Sequence, residues 1–589
     1  MPPPASISSL TTSGGLLLML AVLVPFLGVL AGLVLGAHRA RLIAFVTLVL
    51  GSVISLAIAW TLMQSGATVV YLPGGWAPPL GIALRADGLS VVMLLTVALV
   101  ICGIAFYAKA DFGTASGAPD VRMPFTFWLM LLAVWGSLNL IFVSSDLFTL
   151  YVALELLTFA GVPLVCLDGQ GDTLRAALRY LLFALLGSLL YLLGVVLLYG
   201  VYGTLDIALL ATRVRPEFVT WIVLGLMTCG LLAKTALFPL HIWLPPAHAG
   251  APAAASALLS ALVIKGSWFL VVRLWFDVMP GVITFFSAQL PGVLGALAIV
   301  VGSLVALRQE RLKLLVAYST VAQIGYLFLM FPLAFDVAGN SMTYGSALTG
   351  GLLQAISHAT AKASMFMAAG LIYAALGHDR IADLAGVARA MPVTVLAFAL
   401  AGLALMGIVP SGAYLAKKLL LDAAEGSGQW WWELVLQGGA VFTAGYVVLV
   451  LVRTTRQSVD SVSSIKRVSR QSEIAALSLS LCSLLLGLAA LGPVPGELVS
   501  NPLAPKEIGT TVLVLLGGTL LAAGLSRQAL FSSNCANASD VGPLRRIGST
   551  VGQAFAQADL CVRRWLFASL SLLTLAAMFA GLLVVGVPR

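Results

Sequence analysis

The feature that most limits the fold of this chain is a series of sixteen apolar runs of about 20 residues each. The runs follow one another almost without a break. In lipid, every backbone N–H and C=O must be paired within the protein, so each run predicts a membrane-spanning helix. Of all residues, 60% are hydrophobic and only 9% are charged. We therefore predict an all-α polytopic membrane protein with runs near 15–37, 41–63, 84–107, 124–143, 146–167, 176–200, 217–239, 250–275, 281–306, 312–333, 346–376, 392–422, 431–453, 472–492, 508–526 and 565–587.

The net charge of +9 is distributed in a way that indicates a membrane rather than a nucleic acid. Most lysines and arginines fall on the connections that follow odd-numbered runs, and basic connections usually face the cytoplasm. We therefore expect both termini on the non-cytoplasmic side of a bacterial inner membrane, and the lipid bilayer instead of nucleic acid as the surrounding partner. The first run has no basic residue before it, so it is interpreted as a retained helix and not as a signal peptide.

No pattern in the sequence predicts a cofactor or a metal. The six cysteines have no C-x-x-C spacing, and nucleotide loops, a haem signature and paired catalytic carboxylates are missing from the sequence. We expect no redox centre in this chain, so any enzymatic role would be that of a subunit beside redox partners.

Ionisable residues inside the apolar runs are the candidate functional groups: Glu155, Lys234, Lys265, Lys362 and Lys417. Each would cost about 2.5–3.5 kcal/mol at mid-membrane if it were unpaired. The lysines could reach to the membrane surface, or Glu155 and a lysine could form a static pair. The functional interpretation is that they line a hydrated path and exchange protons.

Two further patterns favour transport. Gln354, His358 and Lys362 recur every four residues and share one helix face, which favours a relay over a packing histidine. The stretches 231–245 and 403–421 each combine a helix-breaking proline with a lysine. Broken helices in corresponding halves are typical of transport sites built from two inverted repeats. His241 and His248 flank the first break, and their spacing does not predict a metal site.

Six stretches follow one another along residues 80–420: RADGLS at 85–90, YVALELL at 151–157, AKTALFPLHIWLPPAHAGAPAAASALLSALVIKGSWFLVVR at 233–273, RQERLKLLVAYSTVAQIGYLFL at 308–329, HATAKASMFMAAG at 358–370 and DLAGVARAMPVTVLAFALAGLALMGIVPSGAYLAKK at 383–418. Together they resemble the antiporter-like membrane subunits shared by respiratory complex I, Mrp-type cation/proton antiporters and membrane-bound hydrogenases.

The resemblance implies roles for individual residues. It places Glu155 and Lys234 as the pair at the entrance of a proton path, and Lys265 as the central lysine. It makes His358 and Lys362 a relay pair and Lys417 the terminal lysine.

This sequence departs from the family pattern at five positions. Gln354 stands where many members have another histidine. Val409 stands for a proline and Ala413 for a glycine at the second break, Lys418 adds a second cation, and Arg179 stands where lysine is usual. Arginine keeps its proton, so Arg179 could set a field but not carry protons.

The resemblance implies a fourteen-helix core of two inverted five-helix repeats, and the sixteen apolar runs then leave about two additional C-terminal helices. The predicted divisions are helices 1–3 at 1–120, a first repeat at 121–275, a second repeat at 276–455 and C-terminal helices with basic loops at 456–589.

The predicted function is proton translocation within a complex I-like assembly of other membrane subunits, as in an NADH-quinone oxidoreductase. The alternatives are an Mrp-type antiporter subunit that also moves Na⁺ or K⁺, a proton-driven partner of a non-redox cytoplasmic protein, a stand-alone solute transporter and a structural scaffold.

Overall fold

A computed structural model describes residues 11–113, 122–457, 466–491, 505–534, 557, 560–561 and 564–585. The two termini, which are predicted to lie on the non-cytoplasmic side, are outside these residues. Much of the basic connection between residues 527 and 564 is outside them as well. The helices are α1 (Leu16–Leu35), α2 (Ala37–Ser65), α3 (Gly88–Asp111), α4 (Arg122–Val143), α5 (Leu147–Val165), α6 (Gly171–Tyr202), α7 (Ile207–Arg213), α8 (Phe218–Thr235), α9 (Leu244–Gly250), α10 (Ala253–Leu258), α11 (Ile264–Arg273), α12 (Phe285–Ala306), α13 (Leu312–Phe328), α14 (Met330–Leu333), α15 (Ser346–Leu376), α16 (Val387–Ala390), α17 (Pro392–Leu405), α18 (Gly412–Gly426), α19 (Trp430–Thr455), α20 (Arg470–Leu485), α21 (Pro505–Asn534) and α22 (Trp565–Val585).

Short segments complete the secondary structure. Two antiparallel pairs of strands lie in connections: β1 (Val69–Tyr71) with β2 (Leu84–Ala86), and β3 (Phe335–Asp336) with β4 (Ser341–Met342). Turns of 3₁₀-helix cover Pro73–Gly75, Ile381–Asp383 and Leu486–Leu491. Two π-helical segments, Leu259–Val263 and Leu274–Val278, extend α10 and α11 into one membrane crossing.

The prediction of a polytopic all-α membrane protein is confirmed. Within the described residues, 15 helices are long and apolar enough to cross a membrane. The predicted run at 392–422 is absent from that set because it is divided into two shorter helices, α17 and α18. Counted as one crossing, this broken pair makes up the predicted sixteen.

Both predicted helix breaks are present, and the same backbone turn forms them. At the end of α8, Leu237 N donates to Leu232 O and Ala236 N to Ala233 O, with Ala236 at φ +58°. At the end of α17, Ile408 N donates to Leu403 O and Gly407 N to Ala404 O, with Gly407 at φ +71°. These paired bonds form a Schellman motif, which satisfies carbonyls that a helix end leaves free. The shared turn supports the inverted-repeat division, whose residue limits stay a prediction.

Glycines set the approach of α6 to α8. A Cβ added at Gly230 of α8 would lie 2.2 Å from the carbonyl oxygen of Gly187 in α6. Helices in membranes associate through such small residues because their backbones can come close. This crossing places Ser188, the next residue in α6, against Lys234 of α8.

A Gly230→Val variant is therefore expected to force α6 and α8 apart. We expect a lower unfolding temperature of the detergent-solubilised protein, by several degrees, because the cost of overpacking is about 1–3 kcal/mol. Gly438→Val is the matched control, because a Cβ there meets no atom within 4 Å. Equal unfolding temperatures for the two variants would contradict this account of the crossing.

An arginine joins the ends of α3 and α11. The Arg273 guanidinium donates from Nη1 and Nη2 to the two carboxylate oxygens of Asp87, both at 2.6 Å, and from Nη1 to Asp277 at 2.8 Å. Asp87 also caps α3 by accepting from Ser90 N. Burial alone would raise the pKa of Asp87, but these donors hold it below its ordinary value. The contribution of Asp87 to stability is therefore present above its unfolded-state pKa and is lost as the pH falls.

Candidate functional site

Glu155 and Lys234 form an ion pair between α5 and α8. Lys234 Nζ lies 3.1 Å from Glu155 Oε1; the Lys234 side chain is 6% exposed and the Glu155 side chain 13%. The ammonium also donates to Leu154 O at 3.3 Å and to the Ser188 hydroxyl. Three acceptors therefore hold one ammonium inside the membrane, as a buried cation requires.

The break after α8 is stabilised by neighbours of this pair. Trp243 Nε1 donates to Ala233 O at 3.0 Å, and the Thr235 hydroxyl donates to Leu231 O at 2.7 Å. Thr235 also bonds to Ser267 of α11 at 2.9 Å, and Ser267 lines a cavity together with Lys234. The cavity is large enough for about one water molecule. A polar connection thus leads from Lys234 towards the helix that carries Lys265.

Lys265 is 1% exposed and contacts His358 directly. Its Nζ donates to Ser260 O at 3.0 Å and bonds to His358 Nδ1. Ser260 belongs to the π-helical turn just before Lys265, and such turns recur at functional sites because they free backbone groups. The Lys265 side chain is enclosed by protein, so it does not reach to the membrane surface.

Lys362 is also fully buried, at 0% exposure, and is held by α13. Its Nζ donates to Val316 O at 3.3 Å and to the Ser319 hydroxyl. It lies one turn beyond His358 on α15, on the side away from Gln354. The predicted shared face is thus present, with His358 in its middle.

Gln354 leads from this face to Lys417. Its Nε2 donates to Gln323 Oε1 at 3.1 Å, and Gln323 donates onward to Thr443 at 3.3 Å and Tyr446 at 3.4 Å. Gln354 and Lys417 line one cavity that is large enough for a water molecule. Glu507, in the first turn of α21, is the acid whose charge acts on Lys417.

The structure therefore brings the six predicted residues into three groups. Glu155 and Lys234 form the first, Lys265, His358 and Lys362 the second, and Lys417 with the Gln354 cavity the third. Lys418 is partly buried but is not among the residues that line the cavity. Arg179 is partly buried on α6, the helix that carries Ser188.

Sequence reasoning missed three groups that accept hydrogen bonds from the lysines: Ser188, Ser319 and the Ser260 carbonyl. It also missed Glu507, whose charge acts on Lys417. Hydroxyl residues are frequent in apolar helices, so no local signal marked Ser188 or Ser319. Glu507 stands at the start of an apolar run, where an acid indicates a helix end rather than a partner for Lys417.

Comparison with known proteins identifies relatives of this chain. Residues 144–443 match the family model described as NADH:quinone oxidoreductase/Mrp antiporter, TM. The chain is 34% identical over 401 residues to NADH-quinone oxidoreductase subunit N of Desulforudis audaxviator, covering 67% of this chain and 77% of that protein. It is 29% identical over 416 residues to a subunit of the Na(+)/H(+) antiporter of Alkalihalophilus pseudofirmus, covering 69% of this chain and 80% of the relative.

Two solved structures share the fold. A chain of the Mrp complex from Dietzia sp. DQ12-45-1b superposes with a TM-score of 0.70 at 23% identity, covering 87% of this chain and 97% of that chain. A chain of the membrane-bound sulfane sulfur reductase, an archaeal respiratory membrane complex, gives 0.71 at 23% identity and covers 86% and 99%. The chain belongs to the NADH:quinone oxidoreductase/Mrp antiporter transmembrane family.

Proposed function

We propose that this chain is a proton-translocating subunit of a multi-subunit complex in a bacterial cytoplasmic membrane. The observation that carries the proposal is the pairing of membrane-buried ionisable groups, Glu155 with Lys234 and Lys265 with His358. The family relatives are subunits of NADH-quinone oxidoreductase and of Na(+)/H(+) antiporters, which supports the same role.

The proposed mechanism begins at the ion pair. While Glu155 holds the Lys234 ammonium, Lys234 keeps its proton, because an opposite charge nearby favours the charged form. When the pair separates, Lys234 gives its proton through the cavity beside Ser267 to neutral Lys265. His358 accepts that proton on Nδ1, and Gln354 with its cavity water carries it to Lys417. The driving energy comes from other subunits or from an opposing ion gradient, because this chain is expected to hold no redox centre.

Purification of the native complex tests this function. The chain would be tagged in its own organism and extracted in mild detergent, its partners identified by mass spectrometry, and the complex placed in vesicles containing a pH-sensitive dye. We expect proton movement driven either by quinone reduction or by a Na⁺ or K⁺ gradient. Redox-driven movement assigns the oxidoreductase-type role, and cation-driven movement assigns the antiporter role that the Na(+)/H(+) antiporter relatives favour. Absence of proton movement under both conditions would contradict the proposal.

The two adjacent lysines of α18 give a matched test of the terminal group. We expect Lys417→Gln to lower proton transport by about tenfold or more, because glutamine cannot take the proton that arrives through the cavity. Lys418→Gln should leave transport within about twofold, because adjacent helix residues point ~100° apart and Lys418 does not line the cavity. The reverse order would make Lys418 the terminal group.

Orientation in the membrane is part of the proposal. The end that carries Arg311 and Lys313 would face the cytoplasm, and the β3–β4 hairpin would face outward, with both termini outside. A membrane-impermeant thiol reagent should label Ala338→Cys in intact cells but label Glu310→Cys only after permeabilisation, because both positions are exposed at opposite ends. Labelling in the opposite order would invert the topology.

A further inference from the structure

The polar row on α15 ends against a buried histidine that the proposed path does not use. Gln354, His358 and Lys362 are followed, four residues on, by Phe366. The ring of His248, from α9, stacks on Phe366 with 4.7 Å between the ring centroids. His248 is 0% exposed, and neither of its ring nitrogens has a hydrogen-bond partner among the described residues. A buried polar group without a partner costs stability, so its retention needs a reason.

A charged cluster begins immediately beyond His248. Lys313 Nζ donates to Ala251 O at 2.8 Å and lies 5.5 Å from the centroid of the Tyr373 ring. Tyr373 follows Phe366 on α15 by about 10 Å along the helix axis. His248 therefore lies between the level of Lys362 and the level of Lys313.

This cluster reaches solvent. Arg311 Nε lies 3.0 Å from Asp379 Oδ1, and the Arg311 side chain is 44% exposed. Asp379 also accepts from Lys313 N at 3.2 Å. The charged groups whose fields act on the His248 ring are Lys313, from the cluster, and Lys362, from the buried row.

We propose that His248 passes protons between Lys362 and the cluster formed by Arg311, Lys313 and Asp379. An imidazole can accept a proton on one ring nitrogen and release another from the second nitrogen, so a neutral ring flanked by two proton donors suits this step. The Lys362 ammonium would give its proton to one nitrogen, and the other nitrogen would release a proton to water at the cluster, or the reverse. Lys362 would then be the branch that connects the buried row to one membrane surface, while Gln354 leads to Lys417.

The inference rests on the proposed function, and its test uses two variants at one position. His248→Phe keeps an aromatic ring to stack on Phe366, and His248→Gln keeps a polar side chain, but neither can relay a proton. In vesicles with the native complex, we expect both to lower proton flux by about tenfold or more. The deuterium isotope effect on the remaining flux should rise, because the proton step at this position has become rate-limiting. His38→Gln removes an exposed imidazole on α2 and should change neither quantity.

A packing role for His248 predicts that His248→Phe keeps its flux within about twofold of the parent, and that outcome would overturn the proposal. If both variants fail to assemble, Lys313→Met replaces them. It should lower flux, and Lys313→Arg should lower it as well, because arginine keeps its proton. Unchanged flux in Lys313→Met would equally refute the relay. Lys265→Met, measured in parallel, distinguishes failure of the proposed function from failure of the His248 inference. Flux retained in Lys265→Met defeats the proposed function, whereas flux lost there and kept in His248→Phe defeats only this inference.

Discussion

Lys265→Met is expected to lower proton transport by about 100-fold or more, because a positioned proton-transfer group contributes about 10²–10⁴. Lys265 is the group between the Ser267 cavity and His358, and it bonds directly to His358 Nδ1. Methionine fills a similar volume in the closed site but cannot hold a proton. Transport would be measured as dye-reported acidification in vesicles that contain the native complex.

The same variant should be at least as stable as the parent. The hydrogen-bond partners of Lys265 in the described structure are a carbonyl and an imidazole, so its charge gains little there to offset the loss of water. Replacing a buried ionic group by an apolar one of similar size is often neutral or stabilising. Lys418→Met serves as the control for handling and assembly. Full transport by Lys265→Met would remove the central group from the mechanism.

Glu155→Gln is expected to impair both transport and stability. The variant leaves the Lys234 ammonium without its carboxylate, although Leu154 O and Ser188 still accept from it. Breaking a fully buried pair costs about 3–5 kcal/mol. The Glu155 side chain keeps some exposure, so the loss should lie below that range. We expect transport to fall by about tenfold or more, because Lys234 no longer has a switchable partner.

A double variant distinguishes a switch from a static tie between helices. Glu155→Gln combined with Lys234→Met removes both charges and should restore the unfolding temperature to near that of the parent. Transport should stay as low as in Lys234→Met alone, since coupled residues give non-additive effects. A double variant that recovers both stability and transport would show that the pair only holds α5 and α8 together.

The membrane fold could be predicted well from the sequence. Long apolar runs have one stable solution in lipid, and the run at 346–376 matches α15 to the residue. Proline and lysine inside the runs at 231–245 and 403–421 also predicted both breaks. Their turns depend on local sequence, and the Schellman motifs at Ala236 and Gly407 form within a few residues.

The candidate site could be predicted only in part, because its contacts join distant segments. The resemblance paired Glu155 with Lys234, but nothing local indicates that Ser188 of α6 would accept from the same ammonium. Four-residue spacing placed His358 and Lys362 on one face of α15. Spacing cannot tell which neighbour each turn of that face meets, so the closeness of Gln354 to Lys417 and of Phe366 to His248 required the packed structure.

The packing of α22 has a consequence for how the protein is made. This last described helix lies against α8, where a Cβ at Gly225 would come within 3.1 Å of Ala576 O, and Thr284 at the start of α12 donates to Leu582 O at 3.4 Å. Residues 565–585 leave the ribosome after every other described membrane helix. One side of the lysine-bearing helix α8 therefore gains this packing partner only after nearly the whole chain has been synthesised.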